Sequence, residues 1–291
     1  MRTHPLVSIV LPTHNGARYI RQSIDSCISQ TYQPWELIIV NDGSIDGTQR
    51  IAENYVKVDG RIRLVSHAVQ RCLPDALNTG FSFAGGEYLT WTSDDNCYRP
   101  KAIETMVSFL ENEPHIGLVY SDYARIDEHG QEIERRSVGD PTELMYRHVV
   151  GGCFLYRREV KDTVGIYSSD AFLAEDYDYW LRVARLWKMR PLHEDLYEYR
   201  THQESLSKRL NFRAQSMSDR VLARNLGALP WGSRREKAER RWTLAKRAFT
   251  RGDRTWAVGQ AVRSTVRAPD VVARDVCRRI WRVAQVGLRR V

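Results

Sequence analysis

Ser93-Asp94-Asp95-Asn96 follows the apolar run Tyr88-Leu89-Thr90-Trp91, so two adjacent carboxylates stand where a buried strand runs out toward solvent. In an open α/β sheet, ligands collect beyond the carboxyl ends of the strands. Mg²⁺ or Mn²⁺ is held by one or two carboxylates together with substrate phosphates. A metal–phosphate site is one reading of this tetrapeptide; a turn with a helix cap is the other, because Asp and Asn favour both.

Two more apolar runs end in polar loops. Val7-Ser8-Ile9-Val10-Leu11 leads into Pro12-Thr13-His14-Asn15-Gly16, and Glu36-Leu37-Ile38-Ile39-Val40 into Asn41-Asp42-Gly43-Ser44. A strand-end carboxylate such as Asp42 can accept a hydrogen bond from a base N–H or a ribose hydroxyl, whereas a plain loop asks only for turn formers. Further on, Ala174-Glu175-Asp176-Tyr177-Asp178 opens an amphipathic pattern. Its acids either complement a helix dipole or supply a general base held in a cleft. Together these segments describe a nucleotide-diphosphate site facing a base.

The elements that must position these residues alternate in type. Strand patterns at 7–11, 36–40, 63–67, 88–91 and 117–120 are separated by helical patterns at 19–30, 47–56, 74–84 and 100–110. Such βαβα alternation predicts an α/β fold, a mainly parallel sheet flanked by helices. After residue 120 the pattern loosens, with short apolar runs at 153–156 and 197–199 that suggest a mixed extension of the sheet. The small residues Gly151-Gly152 before Cys153-Phe154 either line a cleft, where they permit close substrate approach, or permit tight strand packing. Beyond residue 210 the pattern is helical throughout. The expected organisation is a catalytic domain over 1–210 and a basic helical extension over 211–291.

Charge divides the same way. The chain of 291 residues carries a net charge of +8, yet residues 211–291 hold 20 Arg or Lys against 6 Asp or Glu, while the first 210 hold 24 against 30. An acidic body with a basic appendage suggests tethering near an anionic surface. The five cysteines are odd in number and show no CxxC spacing, which argues against a disulfide framework or zinc site and fits a reducing cytoplasm. No apolar run reaches the roughly 18 residues needed to span a bilayer.

Taken in order, the strings VSIVLPTHNGARYIRQSIDSCISQTYQPWELIIVNDGSIDGT, ALNTGFSFAGGEYLTWTSDDNCYRP and AEDYDYWLRV resemble the inverting glycosyltransferases of family 2, over roughly residues 5–209. The resemblance implies the GT-A fold, a Rossmann-like nucleotide-diphospho-sugar arrangement. It also implies transfer of a sugar from a nucleotide-diphosphate donor, with UDP-sugar expected, to an acceptor hydroxyl in glycan or cell-surface polysaccharide biosynthesis. Pro12, Thr13, His14 and Asn15 would then cup the base, with His14 standing where an aromatic Tyr is frequent. Asp42 matches the acid that reads base or ribose. Asp94 and Asp95 match the Asp-x-Asp region, Asp95 as metal ligand for Mn²⁺ or Mg²⁺ and Asp94 as ribose or sugar contact and second ligand candidate. Ser93 departs from the acid common there. Asp176 matches the catalytic base, with Glu175 beside it. Tyr199-Arg200-Thr201-His202 resembles a late motif that closes over the diphosphate, where His202 contacts metal or phosphate. Ala76-Leu77-Asn78 lacks the basic residue that relatives often place before the Asn. Arg71 is then the nearest cation and Asn78 the remaining nucleotide contact.

The tail admits several partners. On a helical projection of 270–290, Ala273, Val276, Cys277, Ile280, Trp281, Ala284 and Leu288 share one face, opposite Arg274, Arg278, Arg282 and Arg289. This pattern fits an anionic membrane interface and a lipid-linked acceptor, placing the chain peripherally on the inner face of a membrane. It fits equally a helix docked on the catalytic domain or one that pairs copies into a homo-oligomer. A nucleic-acid partner accounts for the tail but leaves the strand-end acids without a purpose. A non-catalytic nucleotide-sugar sensor would keep the fold without turnover.

Overall fold

The computed structural model describes residues 4–275 and Cys277. Nine strands form one sheet in the order β3-β2-β1-β4-β8-β6-β9-β5, with β7 paired to β6. The first half is parallel. β1 (Val7–Thr13) lies between β2 (Trp35–Asp42) and β4 (Tyr88–Trp91), and β3 (Ile62–His67) flanks β2.

These strands read as continuous apolar runs because both of their faces are buried. Val7, Ile9 and Leu11 point to one side with Leu37 and Ile39, where α1 (Ile20–Ile28), α2 (Thr48–Val58) and α4 (Ala102–Asn112) cover them. Val10, Ile38 and Val40 point to the other side, toward α3 (Leu73–Phe83). Gly80 lets α3 close on the sheet, since a Cβ there would lie 2.3 Å from Val10 Cγ1.

The second half is mixed. β8 (Phe154–Arg157) runs antiparallel to β4 and to β6 (Ile116–Ile126), and β9 (Lys188–Arg200) runs parallel to β6. β5 (Cys97–Tyr98) and β7 (Glu132–Arg136) complete the sheet. β6 and β9 extend well beyond the apolar stretches at 117–120 and 197–199. Their outer portions carry charged residues and shift register twice, between Ser121 and Asp122 and between Asp122 and Ala124, which hides the period-2 signal. Gly151 and Gly152 serve packing: a Cβ on Gly152 would lie 2.8 Å from the Tyr197 ring, and Gly151 adopts φ +71° beside Tyr123.

After α5 (Arg158–Val164) and α6 (Glu175–Val183), short α7 (Leu206–Arg209) leads into α8 (Asn211–Asn225), α9 (Arg234–Thr250) and α10 (Arg254–Arg267). Among the described residues no strand follows β9. Val221, Leu222 and Leu226 with Leu244 join the same core as Tyr177 and Trp180 of α6. The fully buried Asp178 carboxylate ties the joint, accepting from Arg182 Nε (2.9 Å), Arg224 Nη2 (2.6 Å) and Asn225 Nδ2 (3.0 Å). The basic segment is therefore packed into the body through α8 and α9. Most of the 270–290 projection, from Arg278 onward together with Val276, lies outside the described residues.

Candidate functional site

Three strand ends lie side by side because Val10 of β1 sits opposite both Ile38 of β2 and Trp91 of β4. Beyond them the loops are stitched together. Thr13 Oγ1 donates to Asp94 Oδ2, and a Cβ on Gly16 would approach that same oxygen to 2.0 Å. The 12–16 loop is thus moulded on the acid pair. Asn15, at φ +57°, donates its amide N–H to Ser44 Oγ (2.9 Å) and accepts from Ile45 N–H (2.9 Å). Pro12 is buried at the root of this loop, while His14 and Asn15 are exposed at its tip.

Asp42 is buried under that tip. Its Oδ1 accepts from the Arg71 backbone N–H (2.9 Å) and lies 2.7 Å from His67 Nδ1, while its carbonyl oxygen accepts from His14 Nδ1 at 2.7 Å. The Arg71 side chain is exposed, and among the described residues it has no acid partner. Asn78 departs from the expectation of a nucleotide contact. Its Nδ2 donates to Tyr167 O (2.8 Å) and its Oδ1 accepts from Tyr167 N–H (2.9 Å), so the amide clamps the 166–168 segment onto α3.

β9 delivers the late motif. Asp95 Oδ2 lies 2.9 Å from His202 Nε2, and its carbonyl accepts from Arg200 Nε at 2.9 Å. Arg200, itself buried, also donates its backbone N–H to Asn96 Oδ1 (2.8 Å) and its guanidinium to Gln22 Oε1 (2.6 Å), with Tyr19 4.8 Å beneath the cation. The Tyr19 ring also stands 5.1 Å from that of His202. Among the described residues His202 Nδ1 is buried without a hydrogen-bond partner. Burial and the charge of Asp95 push the Asp94 carboxyl up to about 7.

At the start of α6 the two acids diverge. Burial and the neighbouring Asp176 push the Glu175 carboxyl up to about 8, and its Oε2 accepts from Leu173 N–H (2.7 Å), a residue held at φ +79°. Burial also raises Asp176, but His148 beside it and the Tyr177 N–H (2.6 Å to Oδ1) outweigh that, so the net direction is down. His148 Nε2 lies 3.2 Å from Asp176 Oδ2, an ion-pair distance off the line of a good hydrogen bond. Burial and the charges of Asp42, Asp75 and Glu175 push the Cys72 thiol up.

Among the described residues no three His, Cys, Asp or Glu side chains form a ready-made metal cage. The donor chemistry still fits a divalent ion that completes its shell with substrate phosphates. A metal-bound His commonly donates its other ring N–H to a carboxylate. Asp95 with His202 has that form, leaving Nδ1 over. Sequence reasoning missed Tyr19, His67 and His148. No local pattern marks His148, whose partner stands 28 positions later.

The model of glycosyl transferase family 2 matches residues 8–173. The chain belongs to glycosyl transferase family 2. An uncharacterized glycosyltransferase of Rickettsia felis is 34% identical over 223 residues, covering 71% of this chain but only 36% of the relative's own length. Among solved structures, the 1–349 portion of S. aureus TarS in complex with UDP superposes with a TM-score of 0.64 at 16% identity, covering 84% of this chain and 72% of that one. The mannosyltransferase PcManGT of Pyrobaculum calidifontis, in complex with GDP-Man and Mn²⁺, gives 0.59 at 18% identity over 97% and 81%. This family-2 chain thus has a GT-A-like fold with added C-terminal helices.

Proposed function

We propose that this family-2 protein transfers a sugar from UDP to an acceptor hydroxyl with inversion, in the assembly of a glycan or cell-surface polysaccharide. One observation carries the reading most directly: at the start of α6 the partly exposed Asp176 carboxylate stands 3.2 Å from His148 Nε2 while the buried Glu175 carboxyl turns back onto the Leu173 N–H, two environments that push neighbouring acids in opposite directions. Asp176 is the base, because the His148 imidazole beside it favours the carboxylate. Glu175, protonated at neutral pH, holds the strained Leu173 turn that aims the helix.

His14 and Asn15 face the base, with Asp42 supporting their loop from below and Arg71 free to meet a phosphate. Asp95, Asp94 and His202 would hold the metal. When bound, Mn²⁺ or Mg²⁺ neutralises charge on the departing diphosphate. The acceptor hydroxyl gives its proton to Asp176, its oxygen bonds the anomeric carbon, and the sugar–phosphate bond breaks with its electron pair leaving on UDP. Asp95 orients His202, and Arg200 fixes Asp95 through its carbonyl. PcManGT carries Mn²⁺ and TarS carries UDP, which supports the donor class by analogy.

A panel of nucleotide sugars scanned by thermal shift with and without Mn²⁺ tests this, since a ligand that binds only the native state raises its melting temperature. UDP-sugars should stabilise the protein in a metal-dependent way and be hydrolysed slowly without acceptor. No stabilisation by any nucleotide sugar would overturn the reading.

A further inference from the structure

α10 leaves its valines on the outside. Its inward face is mixed: Trp256 packs against the main core, Ala257 is buried, Ser264 Oγ donates to Ala238 O (2.8 Å), and Gln260 Oε1 accepts from Arg241 Nη1 (2.9 Å). The opposite face exposes Val258, Val262 and Val266 at 62%, 55% and 72%. At four-residue spacing they form one row about 12 Å long. A helix whose only purpose is to cap α9 turns its valines inward; here all three face away from it.

Charge indicates what covers the row. Arg254, Arg263 and Arg267 of the same helix are exposed, and among the described residues none of the three has an acid partner. The nearby acids are already engaged, Asp253 by Arg220, Asp270 by Arg235 and Asp275 by Lys246. A second copy docked on the same face would set arginine against arginine. Residues 278–291 contain five Arg and no acid, so they are repelled likewise. A nucleic acid would satisfy the arginines yet leave aliphatic side chains uncovered, for bases stack on aromatic faces.

We propose that the outer face of α10 seats on an anionic lipid surface, its valines in the headgroup boundary and its arginines on lipid phosphates. The contact lies upstream of the 270–290 stretch that the sequence pattern suggested, and it is independent of the transfer reaction.

The test is flotation of the full chain with phosphatidylcholine vesicles with and without phosphatidylglycerol. The wild type should float only with phosphatidylglycerol. The combined V258S, V262S and V266S variant, and separately R254Q, R263Q and R267Q, should each weaken binding by roughly tenfold or more, with melting temperature and nucleotide binding unchanged. Wild-type flotation by either variant overturns the proposal, as does flotation lost only on removing residues 276–291. It is equally overturned by valine-dependent self-association in place of vesicle binding, or by retention on duplex DNA without retention on vesicles.

Discussion

His148 Nε2 stands 3.2 Å from Asp176 Oδ2, joining a loop residue to the second residue of α6. Both side chains are about one-third exposed, at 32% and 34%, so substrate can reach the pair. The Tyr177 ring, 5.6 Å from the imidazole, holds it in place.

His148→Ala removes the imidazole that favours ionised Asp176, leaving burial opposed only by the backbone N–H groups at the helix start. The Asp176 carboxyl should then hold its proton to higher pH. The acid limb of the kcat/KM profile should move upward, and the rate below neutrality should fall by about tenfold for each unit of that movement. An unmoved acid limb would separate His148 from the base.

Asp176→Asn should lower transfer by roughly 10²- to 10⁴-fold, the range for a lost general base. UDP binding measured by calorimetry should stay near wild type. Substantial residual transfer would remove Asp176 from that role.

Glu175 makes an opposite prediction in stability. Its folded-state pKa of about 8 lies above the ordinary 4.5, so the protonated form is favoured by folding. Its contribution is complete below about 4.5 and lost as pH rises through about 8. Glu175→Gln keeps a neutral side chain and should flatten the fall in melting temperature across that window. An unchanged slope counts against the assignment.

Asp95→Ala and His202→Ala should each weaken UDP binding in the presence of Mn²⁺ by roughly 10- to 100-fold, in line with losses at a metal site or its supporting shell, with little effect when metal is absent. Calorimetry with and without Mn²⁺ reads this directly. Equal losses in both conditions would mean the pair is structural.

Gly16→Ala forces a methyl to within 2.0 Å of Asp94 Oδ2 unless the loop moves. A cost of about 1–3 kcal/mol is expected for such overpacking, together with weaker nucleotide binding. Wild-type melting temperature and affinity would show that the loop yields freely.

Much of the architecture was legible because parallel strands buried on both faces are continuous apolar runs, and their carboxyl ends announce where ligands gather. Val7–Thr13, Trp35–Asp42 and Tyr88–Trp91 follow the predicted runs closely. The long β6–β9 pair escaped, since half-exposed strands with charged side chains and shifted register carry no clean alternation. Gly151-Gly152 was ambiguous until Tyr197 and Tyr123 were seen to fill the space beside it.

Local chemistry determined the candidate acids at 42, 94, 95, 175 and 176, because residue type and position at an element's end can be read along one chain. Only the tertiary structure decided what each side chain touches. Asn78 goes to the Tyr167 backbone, Asp178 binds the C-terminal helices, and His148 comes from a distant loop to Asp176. The valines of α10 face outward for a reason no helical period records: a period shows that two faces differ, and packing alone selects which one meets the protein.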